Sequence, residues 1–321
     1  MAEPIEQWLK HLDAILEHHQ FETAEEAEAW LRLQSENRSI EEFFETCAVP
    51  SVRLMTLWQR AENAQDPEAA LALYELAIAH AEETLAEEIA AARRDPLTWQ
   101  KGKIQPYLWS MFGRAATREM LGDLAEAEQA YLQVWEVDPL DSLGVGEKLF
   151  SLSLTDGRLA EARAWLDRLA EEDSTIVLYH RALLRFLEAA DEAEQAYHQS
   201  GDHEAASSWQ DDLANDLLDQ ALCRNPYVAR IMAHPRAFEL DCPQQAETGS
   251  PQEAVQLMFS TAHLWLSDFL ALSWLIARSK DTPPPADTFT AAWQDLLEKL
   301  GGEPSDEERF AYLRQLEEMD G

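Results

Sequence analysis

Apolar residues recur at three- and four-residue spacing along nearly the whole chain, and no convincing run of strict alternation interrupts them. That period belongs to amphipathic helices, so helices are predicted and sheet is not. Ile5, Trp8, Leu9, Leu12, Ile15 and Leu16 fall on one face and set a first helix over 5–18. Thr23 with Glu26, and Ser39 with Glu42, have the capping-box spacing that opens the next two. Asp66-Pro67 reads as an N-cap followed by proline at the first helical position, and the pattern lets that helix run past Ala90. Farther on, Gly122-Asp123, Gly157 and Gly201-Asp202 each end one helix before another begins. The run "DTPPPADT" from Asp281 reads as a linker ahead of two short C-terminal helices.

These breaks repeat. Laying Gly122 on Gly157 puts Ala127 on Ala162, Tyr131 on Leu166 and Val134 on Leu169, an offset of 35. An earlier unit places Ala70, Tyr74 and Ala77 in the same slots. The stretch "GDLAEAEQAYLQVWEVDP" from Gly122 combines a Gly-Asp turn, a small residue where helices cross, an aromatic and a closing proline. It resembles the second half of a tetratricopeptide repeat, a helix pair of about 34 residues. The order "TWQKGKIQPYLW", the Gly122 unit, "DPLDSLGV", "LYHRALLRF", "NPYVARIM", "GSPQEAVQLM", "ALSWL" narrows this further. Over residues 54–277 the chain is similar to the tetratricopeptide proteins related to suppressor of tumorigenicity 7, including bacterial members.

The resemblance implies an all-α, right-handed solenoid of helix hairpins over 49–280. A helical cap over 1–48, a linker over 281–290 and a helical pair over 291–321 complete the expected organisation. Gln105 and Trp109 stand where the family pattern has arginines. Ser142 and Leu143 replace an Asn-Gln pair, Tyr227 a histidine and Ala229 a proline. The polar positions are the changed ones, so the fold carries over and the family's ligand contacts do not.

Charge changes the picture of partners. The chain holds 61 Asp and Glu against 25 Lys and Arg, a formal charge of −36. Such a field repels phosphate backbones and anionic bilayers, so neither nucleic acid nor a membrane surface is expected, and basic partners are attracted. Acid also keeps a large helical surface soluble, and with only six lysines it fits a salt-adapted surface as well. Hydrophobic residues make up 46% and eleven are tryptophans, enough for a sizeable core. Cys47, Cys223 and Cys242 are odd in number and irregularly spaced, which suggests a reducing compartment, the cytoplasm. The opening "MAEPIEQWLKHLD" lacks the apolar core of an export signal. Leu257–Ala277 is long enough to span a bilayer, but Asp268 near its middle would cost about 2.5–3.5 kcal/mol there. It reads as a helix buried inside the protein.

Candidate chemistry is sparse. His203-Glu204 starts a zinc-protease pattern, but Ser207 holds the second histidine position. Cys223, His234 and Cys242 fit no compact metal site. "GVGEKL" from Gly144 lacks the residues of a phosphate loop and is expected to open a helix. No catalytic residue, metal or cofactor is predicted. Ala221–Phe238 is free of acid and is expected to close one helix and turn the chain toward the helix started by Pro251.

The predicted function is protein–protein interaction by a scaffold or adaptor. Counting back from the glycine turns, the first-helix positions that line a concave face are Met55, Gln59 and Glu62, then Trp109, Phe112, Ala116 and Glu119, then Gly144, Glu147 and Ser151. That lining suits a protein or peptide segment with hydrophobic anchors and positive charge. Oligomeric state is open at this level.

One stretch runs against the acidity. "RRDPLTWQKGKIQPYLWSMFGR", 93–114, has five basic residues and one acid. Arg94, Trp99, Lys101, Lys103, Tyr107, Arg114 and Arg118 are candidate site residues there. Arg114 and Arg118, one turn apart, sit where repeats of this type pack apolar side chains. Two readings remain. In one, the arginines pair with neighbouring acids and lay their stems over the core. In the other, a sensor or enzyme site grips a small anion in guanidinium forks while Trp99 or Trp109 stacks on it. Inhibition of a basic partner by surface charge is a third functional class.

Overall fold

The computed structural model describes residues 49–95, 97, 99, 104–169, 174–200, 211–281 and 289–320. The expected cap over 1–48, with Cys47, lies outside them. So do Lys101, Lys103, the Gly201–Ser207 stretch and residues 282–288 of the linker. The described residues form fourteen α-helices and one 3₁₀ turn, with no strand among them. The prediction of an all-α protein holds.

The chain divides into two compact units, Met1–Leu149 and Phe150–Gly321. In the first, α1 (Pro50–Glu62) and α2 (Pro67–Thr84) form a hairpin. Helix α3 (Ala86–Arg94) follows, and then a second hairpin of α4 (Gln105–Met120) and α5 (Leu124–Val137). Helix α4 packs on both α1 and α2. Asp66 caps α2 through the Glu68 and Ala69 amides, and Pro67 occupies its first turn, as the dipeptide predicts. That helix does not run past Ala90. It stops at Thr84, whose hydroxyl donates to the His80 carbonyl at 2.7 Å. Such back-bonding bends a helix, and buried Leu85 then starts a new direction into α3.

Gly122 and Gly157 have φ of 84° and 70°, left-handed values that glycine adopts without strain. Both therefore turn the chain where the sequence placed them. A different glycine sets helix spacing. A Cβ on Gly113 would lie 2.4 Å from the Tyr74 ring, so α4 approaches α2 as closely as it does only because position 113 has no side chain.

Helix α6 (Val145–Thr155) crosses the boundary between the units and opens in the "GVGEKL" run. Its start is capped by Asp141, which accepts from the Val145 and Gly146 amides at 2.5 and 3.0 Å. The second unit continues with α7 (Leu159–Leu166), α8 (Thr175–Ser200), α9 (Asp212–Arg224) and α10 (Tyr227–Met232). It ends with α11 (Pro251–Leu266), α12 (Phe269–Asp281), α13 (Thr290–Leu300) and α14 (Asp306–Asp320). Leu169 lies beyond α7, so the 35-residue register ends at Leu166.

The apolar run Leu257–Ala277 is two helices rather than one. Asp268 breaks it by accepting from the Ala271 amide at 2.8 Å, acting as the N-cap of α12. Among the described residues no helix is long and apolar enough to cross a membrane. Trp265, Tyr179, Trp274 and Phe186 form the aromatic centre of this unit, with neighbouring rings 4.7 to 6.4 Å apart.

Candidate functional site

One bond closes both hairpins of the first unit. The Tyr74 hydroxyl donates to Glu62 Oε1 at 2.5 Å, and the Tyr131 hydroxyl to Glu119 Oε2 at 2.6 Å. In each, glutamate in the last turn of the first helix meets a tyrosine 12 residues later in the second. Burial first, and the glutamate bond second, hold both phenols well above their usual pKa. At the equivalent positions 35 residues on from the second pair stand Leu154 and Leu166, both buried. The two Tyr–Glu pairs are 57 residues apart. The excess over 35 accommodates α3 and most of the basic stretch.

The expected first-helix positions of α1 and α4 make a mixed aromatic and acidic surface. Trp58 and Trp109 meet at 4.5 Å, and Phe112 turns its edge to Tyr131 at 5.7 Å. Glu119 also accepts Lys148 at 3.3 Å. Met55 is buried, Gln59 half-buried and Glu62 exposed. On α6, Glu147 is half-buried with no hydrogen bond or ion pair among the described residues. Burial, only partly offset by Lys148, pushes its carboxyl up to about 7.

The basic stretch splits in two. At about 100° per residue, Tyr107, Met111, Arg114 and Arg118 form one stripe of α4, while Trp109, Phe112, Ala116 and Glu119 lie across the helix from it. The first stripe meets α2 and α5. Arg118 Nη2 donates to Glu75 Oε1 at 3.2 Å, the Tyr107 hydroxyl to Glu82 Oε1 at 3.0 Å, and Arg114 Nη2 to Gln133 Oε1 at 2.6 Å. Burial, then the Glu82 charge, raises the Tyr107 phenol to about 12. Trp99 is only 1% exposed and stacks on Tyr107 at 5.9 Å. Arg94 is exposed in the last turn of α3.

The expectation that Trp99 or Trp109 stacks on a ligand held by Arg114 and Arg118 is therefore corrected. Trp99 has no free face, and Trp109 sits with Trp58 on the opposite side of α4. Sequence reasoning missed Glu75, Glu82 and Gln133. Glu75 and Glu82, seven apart on one face of α2, were the signal available for two of them.

In the second unit, buried Asn225 joins three sequence motifs. Its Nδ2 donates to the Ser250 carbonyl at 3.0 Å and Glu253 Oε2 at 2.9 Å, and its Oδ1 accepts from the Tyr227 amide. Its carbonyl accepts the Tyr179 hydroxyl at 2.7 Å. Glu253 further accepts Thr175 Oγ1 and the Gly249 amide. Together these bonds tie α8, α9, α10 and α11 to each other, so the cluster is structural.

The acid-free window closes α9 and turns through α10 as expected. His234 Nδ1 accepts from the Arg236 amide at 3.1 Å, so Nε2 carries the proton and donates to the Gly302 carbonyl at 3.0 Å. Both ring nitrogens are thereby used. These residues border a cleft of about 480 Å³ walled by Leu300–Pro304 and Tyr312. Cys223 and Cys242 are free and exposed. Among the described residues no group of three or more His, Cys, Asp or Glu could hold a metal ion.

Helical hairpins closed by tyrosine–glutamate bonds and flanked by an aromatic, acidic surface define the first unit. Set against protein-family models, curated proteins and solved structures, the chain matches none.

Proposed function

We propose that this chain is a non-enzymatic interaction scaffold of the cytoplasm, built on a tetratricopeptide-like array and holding a protein or peptide segment with basic and hydrophobic features. One observation carries the reading. The same Tyr–Glu bond closes two successive hairpins, and α4 packs on both helices of the preceding pair. That arrangement is how hairpin arrays hand a surface from one repeat to the next. The first-helix faces then offer half-buried Trp58, Trp109 and Phe112 as apolar contacts. Glu62, Glu119 and Glu147 supply negative charge in a chain of net −36. Aromatic anchors ringed by charge suit an extended or helical segment.

The test is affinity capture from native lysate at two salt concentrations, with wild type beside a Trp109→Ala/Phe112→Ala variant of matched stability. A partner kept by the wild type at high salt and lost by the variant supports the reading. A partner set that the variant leaves unchanged overturns it. A calorimetric titration with an acidic C-terminal peptide checks the partner's chemistry, and tight binding there would contradict the acidic lining.

A further inference from the structure

In a chain with 61 carboxylates, Arg114 bonds to none among the described residues. Its single bond among the described residues goes to a neutral amide, Gln133 Oε1, and its Nε is buried without a partner. Arg118 lies one turn away on the same stripe. Burial, and then the Arg118 charge, push the Arg114 guanidinium down from its usual value. Two like charges thus lie side by side, and Glu75 and Glu82 offset the one on Arg114 through charge alone, without a bond to it. The two guanidinium charges become favourable neighbours when an anion sits between them.

The donors for such an anion are present. A guanidinium can only donate, so the Gln133 oxygen must face Arg114 and the amide NH₂ points away, with no bond of its own among the described residues. Arg114 Nη1 is likewise unbonded there. Arg118 uses one nitrogen, Nη2, for Glu75 and keeps the rest of its fork. That pair is 26% and 51% exposed, the kind of surface contact that contributes little and exchanges readily. Glu75 thus reads as an internal carboxylate resting at the edge of the fork.

We infer that Arg114, Arg118 and the Gln133 amide form a binding site for an oxyanion, a phosphate or carboxylate group, whose place Glu75 partly fills in the free protein. The site lies across α4 from the aromatic surface of the proposed scaffold and does not depend on it. The negative field of the chain turns away anions that make only long-range contact. Only a group reaching two guanidinium edges at bonding distance is retained, so the site selects for close, multidentate oxygens.

The experiment is isothermal titration of the full chain with inorganic phosphate, and separately with acetate, against sodium chloride at matched ionic strength. Wild type is compared with Arg114→Gln, Arg118→Gln and Glu75→Gln, each checked by thermal unfolding. Removing either guanidinium is expected to weaken binding at least about tenfold, and Glu75→Gln to strengthen it by a similar factor. Saturable phosphate with weak acetate assigns the site to phosphoryl groups, and comparable acetate assigns it to carboxylates. The inference is overturned if neither anion saturates even in Glu75→Gln, or if Arg114→Gln binds as wild type does. Glu75→Gln keeps both arginines, so this arm decides the matter even where an arginine variant fails to fold.

Discussion

The two units hold polar groups in opposite ways. In the first, a tyrosine hydroxyl in each hairpin reaches a glutamate that remains partly in water. In the second, Asn225 is fully buried within a chain of bonds that ties four helices together. His180 is buried there too, stacked on Phe150 at 4.5 Å with neither ring nitrogen bonded among the described residues. A half-solvated bond can be lost with water as a substitute, and a buried one cannot. The first unit should therefore tolerate polar substitution one bond at a time, and the second should fail as a whole.

Acid is the strongest way to separate them. Burial, and secondarily the nearby His263, lower the His180 pKa from 6.5 to about 3. The unfolded chain takes up a proton near pH 6.5 that the folded one refuses. Stability from this group is therefore complete above pH 6.5 and falls as pH drops toward 3, by up to about 1.4 kcal/mol per unit. Glu147 in the first unit has the opposite sign, since its raised pKa makes the folded state hold a proton longer between 4.5 and 7. Urea unfolding from pH 7 to 4 should show a steep loss in wild type and a shallower one in His180→Phe. Equal slopes would mean that His180 reaches water or a partner.

Next in size is the buried bond cluster. Asn225→Ala leaves the Glu253 carboxylate short of a donor and the Tyr227 amide without an acceptor. The expected loss is about 3 kcal/mol, and Glu253→Ala should cost a similar amount without adding to it, because both cut the same network. Chemical denaturation of the singles and the double variant measures this. Full additivity would show that the two act separately.

What was legible in the sequence follows the same division. Turns at Gly122 and Gly157, the Asp66-Pro67 cap and the 35-residue register are local, written within a few residues of where they act. The breaks at Leu85 and Asp268 carry no glycine or proline. Asp268 is in plain view, but its capping role depends on the chain turning there, and within an apolar run it reads only as a charge. The partners of the basic stripe lie 19 to 43 residues away, and an insertion that breaks the period separates Glu75 and Glu82 from α4. For that reason Arg114 and Arg118 could be flagged as misplaced charges while Gln133 and Glu75 could not be named. Asn225 and Glu253 were each quoted within motifs, yet only the fold brings position 225 to 253.

The smallest effects test whether the first unit's bonds are as independent as they look. Tyr74→Phe and Tyr131→Phe each remove one hydroxyl and leave a glutamate that water can reach, so each should cost about 1 kcal/mol. Tyr131 should cost no more than Tyr74, because Glu119 keeps Lys148 as a second partner. The two bonds sit in separate hairpins, and the double variant should equal the sum of the singles. Tyr74 has a second role that the hydroxyl change does not touch. Its ring fills the space left by Gly113, and Gly113→Ala should cost about 1–3 kcal/mol by forcing α4 away from that ring. Adding Tyr74→Leu to Gly113→Ala should return part of the loss, whereas adding Tyr74→Phe, which removes the hydroxyl at 2.8 Å but leaves ring carbons at 2.4 and 2.5 Å, should return less. Thermal unfolding of the six variants decides it. If Tyr74→Phe relieved Gly113→Ala as well as Tyr74→Leu does, the hydroxyl bond rather than the ring would be setting the distance between α2 and α4.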